Sequence, residues 1–157
     1  VDVAQQIVKL AVFERHRNSG HVGLGFLGNY GLRCGAVASS IAHDSHNLIV
    51  AGTNDADMVL AGNTVRKNQG GLAFVVQGQV VGELPLPVAG LMSLESAEAV
   101  EEKLQALKAA LKAQGISEEI DAFMTLAFVS LPVIPKLRLN TYGVVDVDAQ
   151  QIVPAVF

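Results

Sequence analysis

Residues 38–57 read ASSIAHDSHNLIVAGTNDAD. A run of small residues ends in a polar knot, His43-Asp44-Ser45-His46-Asn47, and the apolar run Leu48-Ile49-Val50-Ala51-Gly52 follows at once. Short apolar runs of this kind with β-branched content predict buried strands. Five polar residues between two of them fit a hairpin loop or a strand-to-strand corner. Thr53-Asn54-Asp55 then opens a helix: Asn54 suits the N-cap, and Asp57, three residues on, suits the reciprocal contact. Two imidazoles, a carboxylate, a hydroxyl and an amide in five positions are the densest chemistry of the chain.

Outward from this stretch the pattern is α/β, more strictly α+β: a compact, mixed, sandwich-like β-sheet with three to four helices packed on it. Residues 7–15, IVKLAVFER, predict a first strand that ends in the polar turn Glu14-Arg15-His16-Arg17. Between Gly20 and Gly35 glycines interleave with Val22, Leu24, Phe26 and Leu32, which works against helix and predicts strand or extended loop. Met58, Ala61 and Val65 repeat at helical spacing. Residues 72–76 and 80–84 flank Gln77-Gly78-Gln79, a hairpin signal. A long helix is expected over about residues 94–114, with Ala97, Val100, Leu104, Leu107 and Leu111 as its buried stripe. A shorter one follows from a Ser117 cap to about Ser130, with Ile120, Phe123, Met124 and Ala127 inward. Pro132 and Pro135 predict extended chain, and residues 143–153 a last hairpin.

The composition narrows the classes. The 157 residues fit one domain. Half are hydrophobic and 17% charged, against about 25% in ordinary soluble domains. With a mean hydropathy of +0.38, this predicts apolar surface covered by a partner or another domain. No apolar run approaches the length of a membrane span. A net charge of −4 without a basic stripe, and no Trp, argue against a nucleic-acid surface. Cys34 stands alone, which excludes an internal disulfide and fits a reducing, cytoplasmic setting. A start at Val1 rather than Met is expected of a processed or truncated piece.

Three motifs invite sharper readings. Gly23, Gly25 and Gly28 match G-x-G-x-x-G, but a dinucleotide site needs a helix opening at the third glycine, and the residues that follow cannot start one. Packing glycines are the better account. His43 and His46, with Asp44 between, could hold a metal, yet zinc-type sites need three or four converging ligands. An i, i+3 pair on a short loop is expected to point to opposite sides, and only His16 and His21 remain to complete a set. Ser45 beside Asp44 and His46 cannot form a stacked triad from sequence neighbours. Two readings of the knot stay open: a hydrogen-bonded corner in which Asp44 and Asn47 satisfy turn amides, and a polar cluster aimed at a pocket shared with another domain. Glu14-Arg15-His16, at a strand end, could belong to the same cleft or be a solvated turn.

The stretches VFERHRNSGHVGLGF (12–26), GLRCGAVASSIAHDSHNLIVAGTND (31–55), VVGELPLPVAGLMS (80–93) and FMTLAFVSLPVIPKLRL (123–139) resemble, in order and spacing, the C-terminal domain of bacterial adenine deaminases, of the amidohydrolase superfamily. The resemblance covers nearly the whole chain. It implies a longer enzyme that hydrolyses adenine to hypoxanthine and ammonia in purine salvage. There a (β/α)₈ barrel carries two divalent metals, manganese or iron, and a metal-activated water attacks the purine. No H-x-H pair or later barrel ligand occurs here. The chain is therefore expected to be the domain beyond the barrel, inactive alone, binding no metal itself, with the barrel, adenine and a homo-oligomer as its implied partners. What carries over is the knot. His43, Asp44, Ser45, His46, Asn47, Asn54, Asp55 and His16 are the candidates for covering or supporting the active site; the alternative is a structural or oligomerisation module with no active-site contact.

Overall fold

The structure, a computed structural model, describes residues 1–155. Twelve elements follow in order: β1 (Val8–Phe13), β2 (Val22–Leu27), β3 (Ala36–Ser39), β4 (Leu48–Gly52), α1 (Asp55–Lys67), β5 (Gly71–Val76), β6 (Gln79–Pro85), α2 (Ala97–Ala113), α3 (Ala122–Val129), β7 (Leu137–Asn140), β8 (Gly143–Asp146) and β9 (Gln151–Val153). Six strands make one antiparallel sheet in the order β2-β1-β4-β3-β5-β6, and the last three make a small antiparallel sheet, β7-β8-β9. The α+β reading of the sequence holds, with three helices among the described residues.

Alternation along the strands divides the large sheet into two faces. On one, Ala11, Ala36, Ala38, Val50, Ala73 and Val75 lie under Met58, Ala61 and Val65 of α1. The alanines let the helix approach closely. On the other face Leu10, Val12, Val37, Ile49, Leu72 and Phe74 meet the larger cluster that contains Leu107 and Leu111 of α2 and Phe123 and Leu126 of α3.

The cap of α1 is as the sequence predicts. Asn54 Oδ1 accepts from the Asp57 amide at 2.8 Å, and Asn54 Nδ2 donates to Asp57 Oδ2 at 2.8 Å. Asp57 is also buried and accepts from the amides of Gln77 and Gly78, which fastens the start of α1 to the β5–β6 turn. That turn has positive φ at both Gln77 and Gly78, the backbone of a two-residue type I′ hairpin.

Several local expectations are corrected. Helix α2 starts at Ala97 behind a Ser96 cap rather than near Leu94, because the Ser96 hydroxyl accepts from the Ala99 amide; Ala97 is consequently exposed. Asp121, not Ser117, caps α3, since its carboxylate accepts from the amides of Phe123 and Met124. Met124 lies outward, 45% exposed. The proline segment after α3 is a turn rather than extended chain, and it feeds β7, whose four residues, Leu137–Asn140, carry too short an alternation to announce a strand.

Gly23 and Gly25 of the G-x-G-x-x-G stretch are packing glycines on β2. A Cβ on Gly23 would stand 1.7 Å from the Asn140 carbonyl oxygen, and one on Gly25 would stand 3.3 Å from a Leu139 methyl. The small sheet thus crosses β2 at glycine distance. Gly28 has no atom within 4 Å of such a Cβ and plays no packing part.

Candidate functional site

One end of the large sheet gathers three loops: residues 14–21 between β1 and β2, residues 40–47 between β3 and β4, and residues 86–92 after β6. Arg15 ties them together. Its Nε donates to the His46 carbonyl at 2.5 Å, its Nη2 to the Ala89 carbonyl at 2.7 Å, and its amide to Asn47 Oδ1 at 3.4 Å. Gly90, with φ +78°, leaves the space: a Cβ there would stand 2.4 Å from Arg15 Nη2. Beneath, the buried Ser40 hydroxyl donates to the Gly90 carbonyl at 2.5 Å and accepts from the Gly71 amide at 2.7 Å. The knot and the LPLPVAGLM segment, far apart in sequence, are therefore one construction.

The main chain of the knot is secured from several sides. His43 donates its amide to the Ala127 carbonyl of α3 at 3.0 Å, and His46 its amide to the Ala42 carbonyl at 2.6 Å. His16 Nε2 lies 2.7 Å from the Ser45 carbonyl. Glu14 fixes its own loop, accepting from the amides of His16, Arg17 and Ser19 and from the Ser19 hydroxyl. Those donors, the Ser19 amide foremost, hold its carboxyl down at about 2.

The side chains of the knot are used differently. Asn47 is buried and spent on the Arg15 amide. Ser45 Oγ accepts from the Asn47 amide at 3.4 Å and is no activated nucleophile. Asp44 is exposed and engages no described amide or cation, so the corner reading, in which it caps turn amides, holds for Asn47 only. The two imidazoles do not point apart. His43 and His46 face each other edge to face at 6.1 Å between ring centroids, with Phe128 4.9 Å from His43. The positive φ of His46, +47°, turns its ring back towards His43 and overrides the i, i+3 expectation. His46 Nδ1 is buried and lacks a partner among the described residues. Burial pushes the His46 pKa down, and the neighbours His43, Arg15 and His16 act the same way against Asp44. The ring is therefore neutral at pH 7.

The structure does not bring every candidate together. His16, His43, Asp44, Ser45, His46 and Asn47 share this end with His21, which packs on Tyr142 of the β7–β8 turn at 5.0 Å. Asn54 and Asp55 lie at the opposite end, beyond the length of β4, about 15 Å for five residues at the usual strand rise. There Asn54 is a helix cap and Asp55 pairs with Lys9. Cys34 is half-buried at that far end. Sequence reasoning reaches Arg15 only as part of the polar turn Glu14-Arg15-His16 and misses Ser40 and Gly90, because their partners come from loops with no sequence proximity.

No three of His, Cys, Asp and Glu converge as metal ligands among the described residues, and no described helix is long and apolar enough to cross a membrane. The donors present thus do not fit a metal pair held by this chain. What they offer is the neutral His46 imidazole beside the His43 ring and an unengaged carboxylate at the sheet end, able to accept or orient a hydrogen bond presented from outside.

Comparison with known proteins agrees with the resemblance seen in the sequence. Residues 1–151 match the family described as the adenine deaminase C-terminal domain. The chain is 51% identical over 150 residues to adenine deaminase 2 of Carboxydothermus hydrogenoformans, covering 96% of this chain and 26% of that protein. It is 46% identical to the adenine deaminase of Dehalococcoides mccartyi over 98% of this chain and 27% of that protein. For the adenine deaminase of Moorella thermoacetica the figures are 50%, 92% and 24%. The chain spans about a quarter of the length of these curated relatives. With nearly every residue matched, it belongs to the adenine deaminase C-terminal domain family.

Proposed function

We propose that this single domain works within a longer adenine deaminase, where the rim of His43, Asp44 and His46 closes over the purine pocket or orients groups of the catalytic part. The whole enzyme would hydrolyse adenine to hypoxanthine and ammonia, in cytoplasmic purine salvage and as a homo-oligomer. The observation that carries this reading is an asymmetry in the knot. Its main chain is held by Arg15, His16 and Ala127, yet the Asp44 carboxylate and the His43 and His46 rings are left without hydrogen-bond partners among the described residues. A loop that existed only to turn the chain would spend its polar groups on the turn, as Asn47 does.

Two divalent metals, manganese or iron, belong in this reading to the remainder of the longer chain, since the described residues supply no ligand set. The domain's own contribution is to exclude water and to place an imidazole or carboxylate against the substrate or its ligands. On its own the domain should not deaminate adenine. Asp44→Asn and His43→Ala in the longer enzyme test the proposal. The expected result is a kcat lowered at least about tenfold at unchanged melting temperature. Normal turnover with a lowered melting temperature would instead make the knot a structural corner.

A further inference from the structure

Strand β2 is an edge strand whose two sides are treated very differently. Cross-strand partners in an antiparallel pair share a face. The register sets Val22 beside Phe13, Leu24 beside Ala11 and Phe26 beside Lys9, so these three side chains emerge on the same face as α1. Helix α1 packs chiefly over β3 to β6, away from the β2 edge. Val22, Leu24 and Phe26 are accordingly 41%, 58% and 47% exposed. Across from them Val59 on the flank of α1 is 62% exposed. An open cleft of about 540 Å³ with Phe13 and Leu48 among its lining runs along α1 beside Met58, Val59 and Gly62. On its other face the same strand is covered at glycine distance by the small sheet. One helix layer is thus half built, over an apolar edge that soluble proteins do not leave bare.

We infer that this strip and cleft are the seat of the larger remaining part of the adenine deaminase polypeptide. Three observations select that occupant. The relatives carry about three-quarters of their length outside this domain. The chain's charged content is only 17% and its mean hydropathy positive, as expected where a face is covered. Glu14 and Arg15 line the cleft and also build the loop end, so a body that meets the knot is continuous with one that meets the strip. The inference rests on the reading that the domain works inside a longer chain, but not on any contact of the knot with substrate.

Hydroxyl-radical footprinting of the full-length enzyme carrying this domain tests it. Leu94, 79% exposed and remote from the strip in sequence, serves with Val133 as the internal reference. Leu24, Phe26 and Val59 should label at least fivefold more slowly than these references, and the protection should not change on dilution. Labelling of the strip at the reference rate overturns the inference. So does protection that disappears in step with subunit dissociation, because the occupant would then be a second copy. The readout is cover rather than turnover. An Asp44→Asn enzyme with full kcat would sink the site reading and leave this one standing; a bare strip in an enzyme that Asp44→Asn inactivates would do the reverse.

Discussion

The Arg15 guanidinium donates through Nε to the carbonyl of His46, 31 residues away in sequence, at 2.5 Å. A residue at the end of the first strand thereby sets the backbone of the polar knot, while its Nη2 holds the Ala89 carbonyl of a third loop. Burial pushes the Arg15 pKa down from its usual value, but guanidinium stays charged throughout the ordinary range.

Arg15→Gln should therefore loosen two loops at once. Charge-assisted hydrogen bonds contribute about 1.5–3 kcal/mol each in favourable settings, and Arg15 is only half-buried, so a loss of about 2 kcal/mol in urea unfolding is expected. Arg15→Lys should recover little of it, since an ammonium cannot reach both carbonyls in the fork geometry. A wild-type midpoint for Arg15→Gln would contradict the clamp.

Gly23→Ala should destabilise by about 2–3 kcal/mol, because the new methyl meets main chain rather than a flexible side chain and the small sheet must shift. Gly28→Ala, with open space around it, should stay within about 0.5 kcal/mol. Equal effects at the two glycines would contradict the packing account of this motif.

These two glycines mark how far the sequence could be read. Alternating apolar runs and the cap at Asn54 and Asp57 are local signals, and they give β1, β4, α1 and the β5–β6 hairpin at nearly their true limits. The knot was legible as chemistry for the same reason. Two things were not legible: the meeting of His43 with His46, which depends on one positive φ, and the role of Arg15, which depends on three loops reaching the same sheet end. Asn54 and Asp55 looked like neighbours of the knot because only one strand separates them in sequence; that strand carries them to the other end of the sheet. Cap competition decided the start of α3, since Ser117 and Asp121 are both capping types and the Asp121 carboxylate takes the Phe123 and Met124 amides.

The acid limb of stability should reflect Glu14. Its folded pKa of about 2 lies below the ordinary 4.5, so the unfolded chain binds the proton first. The contribution is complete above about 4.5 and is lost as the pH falls through about 2. Asp57 acts in the same sense: burial raises its pKa, but the Asn54 side chain and the Gly78 and Gln77 amides more than offset that. Glu14→Gln should flatten unfolding free energy between pH 4.5 and 2 relative to the wild type. An unchanged slope there would contradict the loop geometry.

His46 adds a second pH window. Its folded pKa lies below the ordinary 6.5, so the unfolded state takes up a proton first as pH falls past that value, and stability present above 6.5 declines beneath it. Asn tolerates the left-handed backbone at this position, so His46→Asn should remove that decline without collapsing the loop. An imidazole resonance of His46 titrating above 6.5 would contradict the buried, partnerless Nδ1.

In the proposed function the knot end of the sheet faces the purine pocket of the longer enzyme. Amide hydrogen exchange of that enzyme with and without saturating adenine reads it most directly. Slower exchange confined to residues 43–47 and their Arg15 and His16 supports, with residues 54–57 unchanged at the far end, is the predicted result. Exchange in residues 43–47 that is identical with and without adenine would contradict it.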